Sequence, residues 1–236
     1  MKPKIECCFS PALLDLYDFK NSIVVVIDVF RATSTIAAAM SNGAQKIIPV
    51  DDVQKCIQLG SEIENSITAG ERNGVIAEGL AMGNSPSVFS PEIIENKTLV
   101  LTTTNGTRLL HMCRDSKEIV SASFLNLSAT VQYLREQKQD VLLACASWKN
   151  RFNLEDSLFA GAVYKELKDE FEMDCDSVRA AYDLYKNAEG KLYEYIQDSA
   201  HFNRLSKLGL QADMEYCCSI DKHDVLIRFD GEALIS

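Results

Sequence analysis

The sequence predicts an α/β protein with a largely parallel sheet, and three features predict it. Short β-branched runs such as residues 23–27 (IVVVI) are apolar without alternation, the pattern of strands covered on both faces. Segments with helical spacing fall between these runs, so strand and helix alternate along the chain. The last third then changes character and reads as a helical segment built of short pieces.

Taken in order, strands are expected at residues 23–27, 46–50, 98–102, 118–121 and 140–145, where Val, Ile, Leu and Thr concentrate. Helices are expected at 33–40, 53–63, 106–113, 127–137 and 154–170. The C-terminal segment divides into short helices at 177–190, 191–198, 200–207 and 211–218, followed by a strand at 225–229. Residues 68–91 form the one loop-rich stretch, long enough to imply a task of its own. With no long Pro/Gly linker, the 236 residues suit one domain over 1–236, or two tightly packed lobes around one cleft.

Composition narrows the function classes. A formal net charge of −10 repels nucleic acid and anionic lipid, so neither is an expected partner. The N-terminal apolar residues are interrupted by Glu6, Asp15 and Asp18, which removes any signal-peptide core, and no stretch approaches a membrane span. The eight cysteines include the pairs Cys7-Cys8 and Cys217-Cys218, show no C-x-x-C spacing, and read as reduced, mostly buried thiols of a cytoplasmic protein. His111, His201 and His223 are too scattered for a zinc cluster. An acidic chain that takes an anionic ligand must concentrate its positive charge locally.

Three segments share one design, an apolar strand running into a polar turn from which a helix starts. In an open parallel sheet such turns line one edge, where helix N-termini also present free N–H groups. The first carries Asp28 at the strand end, then Arg31, Thr33, Ser34 and Thr35. A carboxylate there can hold Mg²⁺, while the guanidinium and hydroxyls can grip phosphate oxygens. The second, Thr102 to Arg108, stacks hydroxyls, the amide of Asn105 and Gly106, and puts Thr104 and Asn105 at a helix start. The third, Arg151-Phe152-Asn153-Leu154-Glu155-Asp156, packs a cation and two carboxylates around a helix cap at Asn153. Glu155 and Asp156 lie about 100° apart around the helix, so both reach a cleft only at its first turn. Plain capping and helix-dipole effects account for any one turn alone. The loop at 68–91 adds Glu71, Arg72, Asn84 and Ser85.

With these segments assembled, the chain resembles the 2-phosphosulfolactate phosphatase family of coenzyme M biosynthesis over nearly its whole length. The resemblance rests on VVVIDVFRATSTIAAAMSNGA, TAGER, MGNSP, LVLTTTNGTR, SFLN and NRFNLEDSLFAGA, in the family's order. It implies a three-layer α/β architecture and Mg²⁺-dependent hydrolysis of (R)-2-phospho-3-sulfolactate, a small anionic phospho-acid. Carried over by position, Asp28, Arg31, Thr33, Glu71, Arg72, Asn84, Ser85, Asn105, Asn126, Arg151, Glu155 and Asp156 fall on motif residues. The expectation is that Asp28, Glu155 and Asp156 hold the ion, Arg31 and Arg151 clamp phosphate, and Arg72 helps bind sulfonate. Homo-oligomers are compatible with this reading. Two departures fall on substrate-shaping loops: Ser147-Trp148-Lys149-Asn150 replaces a glycine-rich turn, and Ala77 to Met82 lacks an expected aromatic and aspartate.

Two alternatives stand beside it. Cys145 and Arg151 have the C-x₅-R spacing of cysteine-dependent phosphatases, although the turn lacks glycine. A non-catalytic anion-binding relative would keep the fold without turnover. A haloacid-dehalogenase site would need an aspartate where Phe30 stands, and no GxxxxGK[ST] or GxGxxG motif is present. His201 is read as a leaving-group acid or, with greater weight, as a surface histidine, and Trp148 as a pocket wall or packing.

Overall fold

A computed structural model describes residues 2–236. In chain order the elements are β1 (Lys4–Cys8), β2 (Ile23–Ile27), α1 (Ala32–Ser41), β3 (Lys46–Val50), α2 (Val53–Glu62), β4 (Ser66–Arg72) and β5 (Val75–Ile76). They continue with α3 (Pro91–Ile94), β6 (Thr98–Thr102), α4 (Gly106–Met112), β7 (Glu118–Ala122), α5 (Leu127–Gln137), β8 (Val141–Cys145) and α6 (Leu154–Leu167). Then come β9 (Glu172–Met173), α7 (Asp176–Ala188), α8 (Leu192–Ile196), α9 (Ala200–Ser206), α10 (Gln211–Cys217), β10 (Arg228–Phe229) and β11 (Leu234–Ile235).

The strands form one sheet in the order β5-β4-β6-β3-β11-β10-β7-β2-β8-β1-β9. Pairing is parallel except at β4–β5 and around the β10–β11 hairpin, which is antiparallel to β7 on one side and to β3 on the other. Strand β2 shows why its sequence does not alternate. Ile23, Val25 and Ile27 join a core with Leu134 of α5, Phe159 and Val163 of α6, and Ala181 and Tyr185 of α7. Val24 and Val26 face the opposite core, with Ile36 and Met40 of α1 and Leu109 and Leu110 of α4. Successive strand residues point to opposite faces, so a strand with helices on both sides must be apolar throughout. This is the three-layer arrangement that the resemblance implies.

Helices α8 to α10 add Ile196, Phe202, Leu205, Met214 and Cys217 to the first core, so the C-terminal segment packs on the same core as α6 and α7. The sequence expectations differ from the structure where strands are short or polar. Residues 66–72, expected largely as loop, form β4, because SITAGER gains its pairing from β6 rather than from its own apolarity. The strand expected at 225–229 is reduced to Arg228–Phe229, although Ile227 still accepts the Ser121 N–H at 2.9 Å. Among the described residues no helix is long and apolar enough to cross a membrane.

The α6–α7 contact depends on Gly161. A Cβ added there would lie 2.0 Å from the Ala181 carbonyl oxygen and 2.8 Å from Tyr185 Cβ. Gly161→Ala must therefore push two backbones apart, at a cost of about 3 kcal/mol. Thermal unfolding followed by circular dichroism should show a fall in Tm on the order of 10 °C.

Candidate active site

The carboxyl ends of β2, β4, β6 and β8 bring three polar turns and a strand end together. Asp28 follows β2 directly. Its backbone N–H donates to Thr33 Oγ1 at 3.1 Å while its carbonyl accepts the Thr33 N–H at 3.0 Å, a reciprocal clasp that fixes the turn into α1. Asp156, at the start of α6, straps two turns from behind. One of its oxygens accepts the Val29 N–H at 2.9 Å and the other accepts the Ser147 N–H at 3.1 Å. Gly106 makes room for Asp28, since a Cβ there would sit 2.9 Å from Asp28 Oδ2 and 2.6 Å from Ala32 Cβ.

These turns border a small, largely polar cleft. Of the residues expected from the sequence, Asp28, Arg31, Glu71, Asn84, Thr104 and Asn105 line it. Burial pushes the Asp28 carboxyl up to about 7, and the charges of Glu71 and Glu155 act in the same direction. The Arg31 guanidinium donates to Asp213 at 2.5 Å and to the Gly74 carbonyl at 3.2 Å, and Ser85 Oγ donates to the second Asp213 oxygen. Glu71 ties two loops, accepting the Thr104 N–H at 2.8 Å and the Gly74 N–H at 2.7 Å. Asn84 Oδ1 is buried without a hydrogen-bond partner.

The opposite wall comes from the helical segment. His201 is buried, at 8% exposure, rather than on the surface, which corrects the reading given the greater weight from sequence. Its Nδ1 lies 2.5 Å from Glu155 Oε1, and its Nε2 accepts from Arg204 Nη2 at 2.8 Å. A donor facing Nε2 places the imidazole proton on Nδ1, pointing at Glu155, in the neutral ring. Trp148 stacks on His201 at an interplanar angle of 17°, and the Arg204 guanidinium lies 4.5 Å from the Trp148 ring centroid. Burial lowers the pKa of Arg204, with Glu71 and Glu155 opposing.

The remaining sequence-derived residues lie outside the lining. Thr33 and Asp156 support Asp28 from behind, and Ser85 acts on Asp213. Arg72 turns away, its guanidinium donating to the carbonyls of Glu71 and Asp51 and to Thr102 Oγ1. Arg151 is exposed and borders a second groove with Phe152 and Ser199, which shares Trp148 and His201 with the cleft but does not bring Arg151 into its lining. Asn126 caps a single helical turn, accepting the Ser123 N–H at 3.0 Å and donating to the Val225 carbonyl at 3.0 Å. The structure thus brings Arg204, not Arg151 or Arg72, into the cleft beside Arg31. Arg204 and Asp213 were missed from sequence because each is one charged residue on a short helix, with no neighbouring motif to mark it.

Cys145 sits in the first core at 1% exposure. A hydrogen bond with Cys7 and burial hold its thiol far above the usual range. A thiolate nucleophile needs the opposite environment, so the cysteine-dependent alternative has no geometric support.

Among the described residues no group of three His, Cys, Asp or Glu side chains converges into a cage. Glu155 Oε2 is nevertheless buried without a partner, and the Asp28 carboxylate borders the cleft. Mg²⁺ is characteristically held by one or two carboxylates together with substrate phosphate and water, so hard oxygen donors of this number fit it. Asp156, with each oxygen already accepting a backbone N–H, is placed as a support for that pair.

Comparison with known proteins identifies the family. Residues 8–232 match the family model described as 2-phosphosulpholactate phosphatase. A probable 2-phosphosulfolactate phosphatase of Thermotoga petrophila is 46% identical over 198 residues, 84% of each chain. One of Caldanaerobacter subterraneus subsp. tengcongensis is 39% identical over 213 residues, 89% of this chain and 88% of its own. One of Clostridium perfringens strain SM101 is 34% identical over 235 residues, covering 97% and 95%. Similarity of this extent, running through every segment that borders the cleft, places the chain in the 2-phosphosulpholactate phosphatase family.

Proposed function

We propose that the protein is a Mg²⁺-dependent phosphomonoester hydrolase that converts 2-phospho-3-sulfolactate and water to 3-sulfolactate and phosphate. The observation that carries this reading is the buried Asp28 carboxyl at a strand end, raised to about 7 by burial, in a cleft also lined by Arg31, whose guanidinium is fixed by Asp213. Asp28 and the free oxygen of Glu155 would hold the ion, which supplies charge neutralisation for the phosphate group.

The protein's own groups do the positioning. Arg31, locked by Asp213, presents fixed positive charge, and the turn at Thr103 to Asn105 borders the same space. Charge spread over the phosphoryl oxygens in the transition state is stabilised by such preorganised groups. Asn84 Oδ1, an acceptor already stripped of water, is suited to orient the attacking water molecule. Hydrolysis joins the water oxygen to phosphorus as the water gives up a proton, while the ester oxygen leaves with its bonding pair and takes up a proton.

Phosphate release across a panel of 2-phospho acids checks the proposal. We expect turnover with Mg²⁺, loss with EDTA, and no effect of iodoacetamide on native enzyme, since Cys145 is buried and protonated. Turnover indifferent to EDTA would remove the ion from the reading. Tight binding of 3-sulfolactate without phosphate release from any ester would mark a non-catalytic relative instead.

A further inference from the structure

The cleft holds two guanidinium groups, and only one is in direct ion pairing with a carboxylate. Arg31 is paired with Asp213, both side chains being buried. Arg204 makes no ion pair among the described residues. Its contacts are not carboxylates: His201 Nε2 at 2.8 Å, the face of Trp148, and the Asn73 carbonyl at 3.5 Å. Arg204 Nε is buried with no partner at all.

Stacking on an indole and a contact with an imidazole nitrogen fix the plane of a guanidinium without pairing it to an anion. A partly buried cation left in that state is costly unless a ligand completes it. The chain invests conformational strain in the same place. Ser147, Lys149 and Asn150 all have left-handed backbone, with φ of 54°, 55° and 58°, although none is glycine. Non-glycine residues in that region are strained, and the strain here holds Trp148 between them.

Arg204 also reaches the cleft from the helical segment, whereas Asp28, Thr104 and Asn105 reach it from the ends of strands. A ligand touching both sets must span the cleft with an anionic group at each end. Resting on the reading that the substrate is a 2-phospho acid with further anionic groups, we propose that Arg204 is the receptor for the oxyanion that is not transferred, the sulfonate or carboxylate. Trp148 and His201 act through it as positioning residues.

The test compares esters with and without a second anion. In Arg204→Met, the ratio of kcat/KM for 2-phospho-3-sulfolactate to that for glycerol 2-phosphate should fall by about 100-fold, mostly through KM. Arg204→Lys, which keeps the charge and loses the planar fork, should recover part of that ratio. Adding 2-phospholactate separates the anions: a loss confined to the sulfonated ester assigns sulfonate, and an equal loss on 2-phospholactate assigns carboxylate. Equal losses on all three esters, or a loss wholly in kcat, would instead put Arg204 on the transferred phosphoryl group and overturn the proposal. Calorimetry with 3-sulfolactate gives a readout independent of turnover. Wild-type protein should bind it at least 50-fold more tightly than Arg204→Met even if no ester is hydrolysed, and matched affinities would sink the assignment.

Discussion

Asp28→Asn should abolish turnover and at the same time raise the stability of the folded protein above neutral pH. Removing a carboxylate at the reacting centre costs about 10³-fold or more in kcat. The stability effect follows from proton linkage. The Asp28 carboxyl moves from 3.8 to about 7 because burial disfavours its charge. Between those values the native state keeps a proton that the unfolded chain has released. Its contribution is therefore complete below pH 4 and is lost as pH rises through 7, by about 4 kcal/mol at most. Asparagine carries no charge to desolvate, so the variant should melt on the order of 10 °C higher than wild type at pH 8 and show no such advantage at pH 4. Millimolar Mg²⁺ should raise the wild-type Tm at pH 8 and leave the variant nearly unmoved, since binding to the native state alone stabilises it. If Mg²⁺ shifts both proteins alike, Asp28 is not part of the ion's site.

The second large effect is expected at Asp213. Its carboxylate is the counter-ion of a buried guanidinium and also receives Ser85. Asp213→Ala leaves Arg31 charged, buried and unpaired, a loss of about 4 kcal/mol that thermal or urea unfolding will register. Activity should fall with it, because Arg31 no longer has a fixed direction. The double variant Arg31→Met with Asp213→Ala separates the causes. Removing both charges should restore more than half of the lost stability while activity stays absent. If the double variant is as unstable as the single one, the defect lies in the packing of α10 and not in an orphaned charge.

How much of this was legible beforehand depends on whether the signal is local. IVVVI declares a two-faced strand by itself, because each of its side chains meets one of two cores. The turns after β2 and β6 were legible for a similar reason, since hydroxyls and a carboxylate crowd a strand end where a helix must start. β4 was obscured because its order comes from a neighbour, and a two-residue strand such as β5 has too few residues to show a period. Arg72 and Arg151 illustrate the opposite error. Each sits in a motif-rich stretch, yet backbone carbonyls turn one away and solvent surrounds the other. Arg204 and His201 became meaningful only through Trp148, 53 residues earlier than His201 in the chain, and no spacing rule links them.

The hairpin of β10 and β11 sits in the middle of the sheet, joining β3 to β7. During synthesis, those two strands are made long before residues 228–235 leave the ribosome. Until then the nascent chain holds two half-sheets with open inner borders, each able to capture a stray strand from another polypeptide. Quality control of this protein in the cell therefore falls on a late, long-range closure, and folding yield should respond to chaperone supply more than to the intrinsic stability of either half.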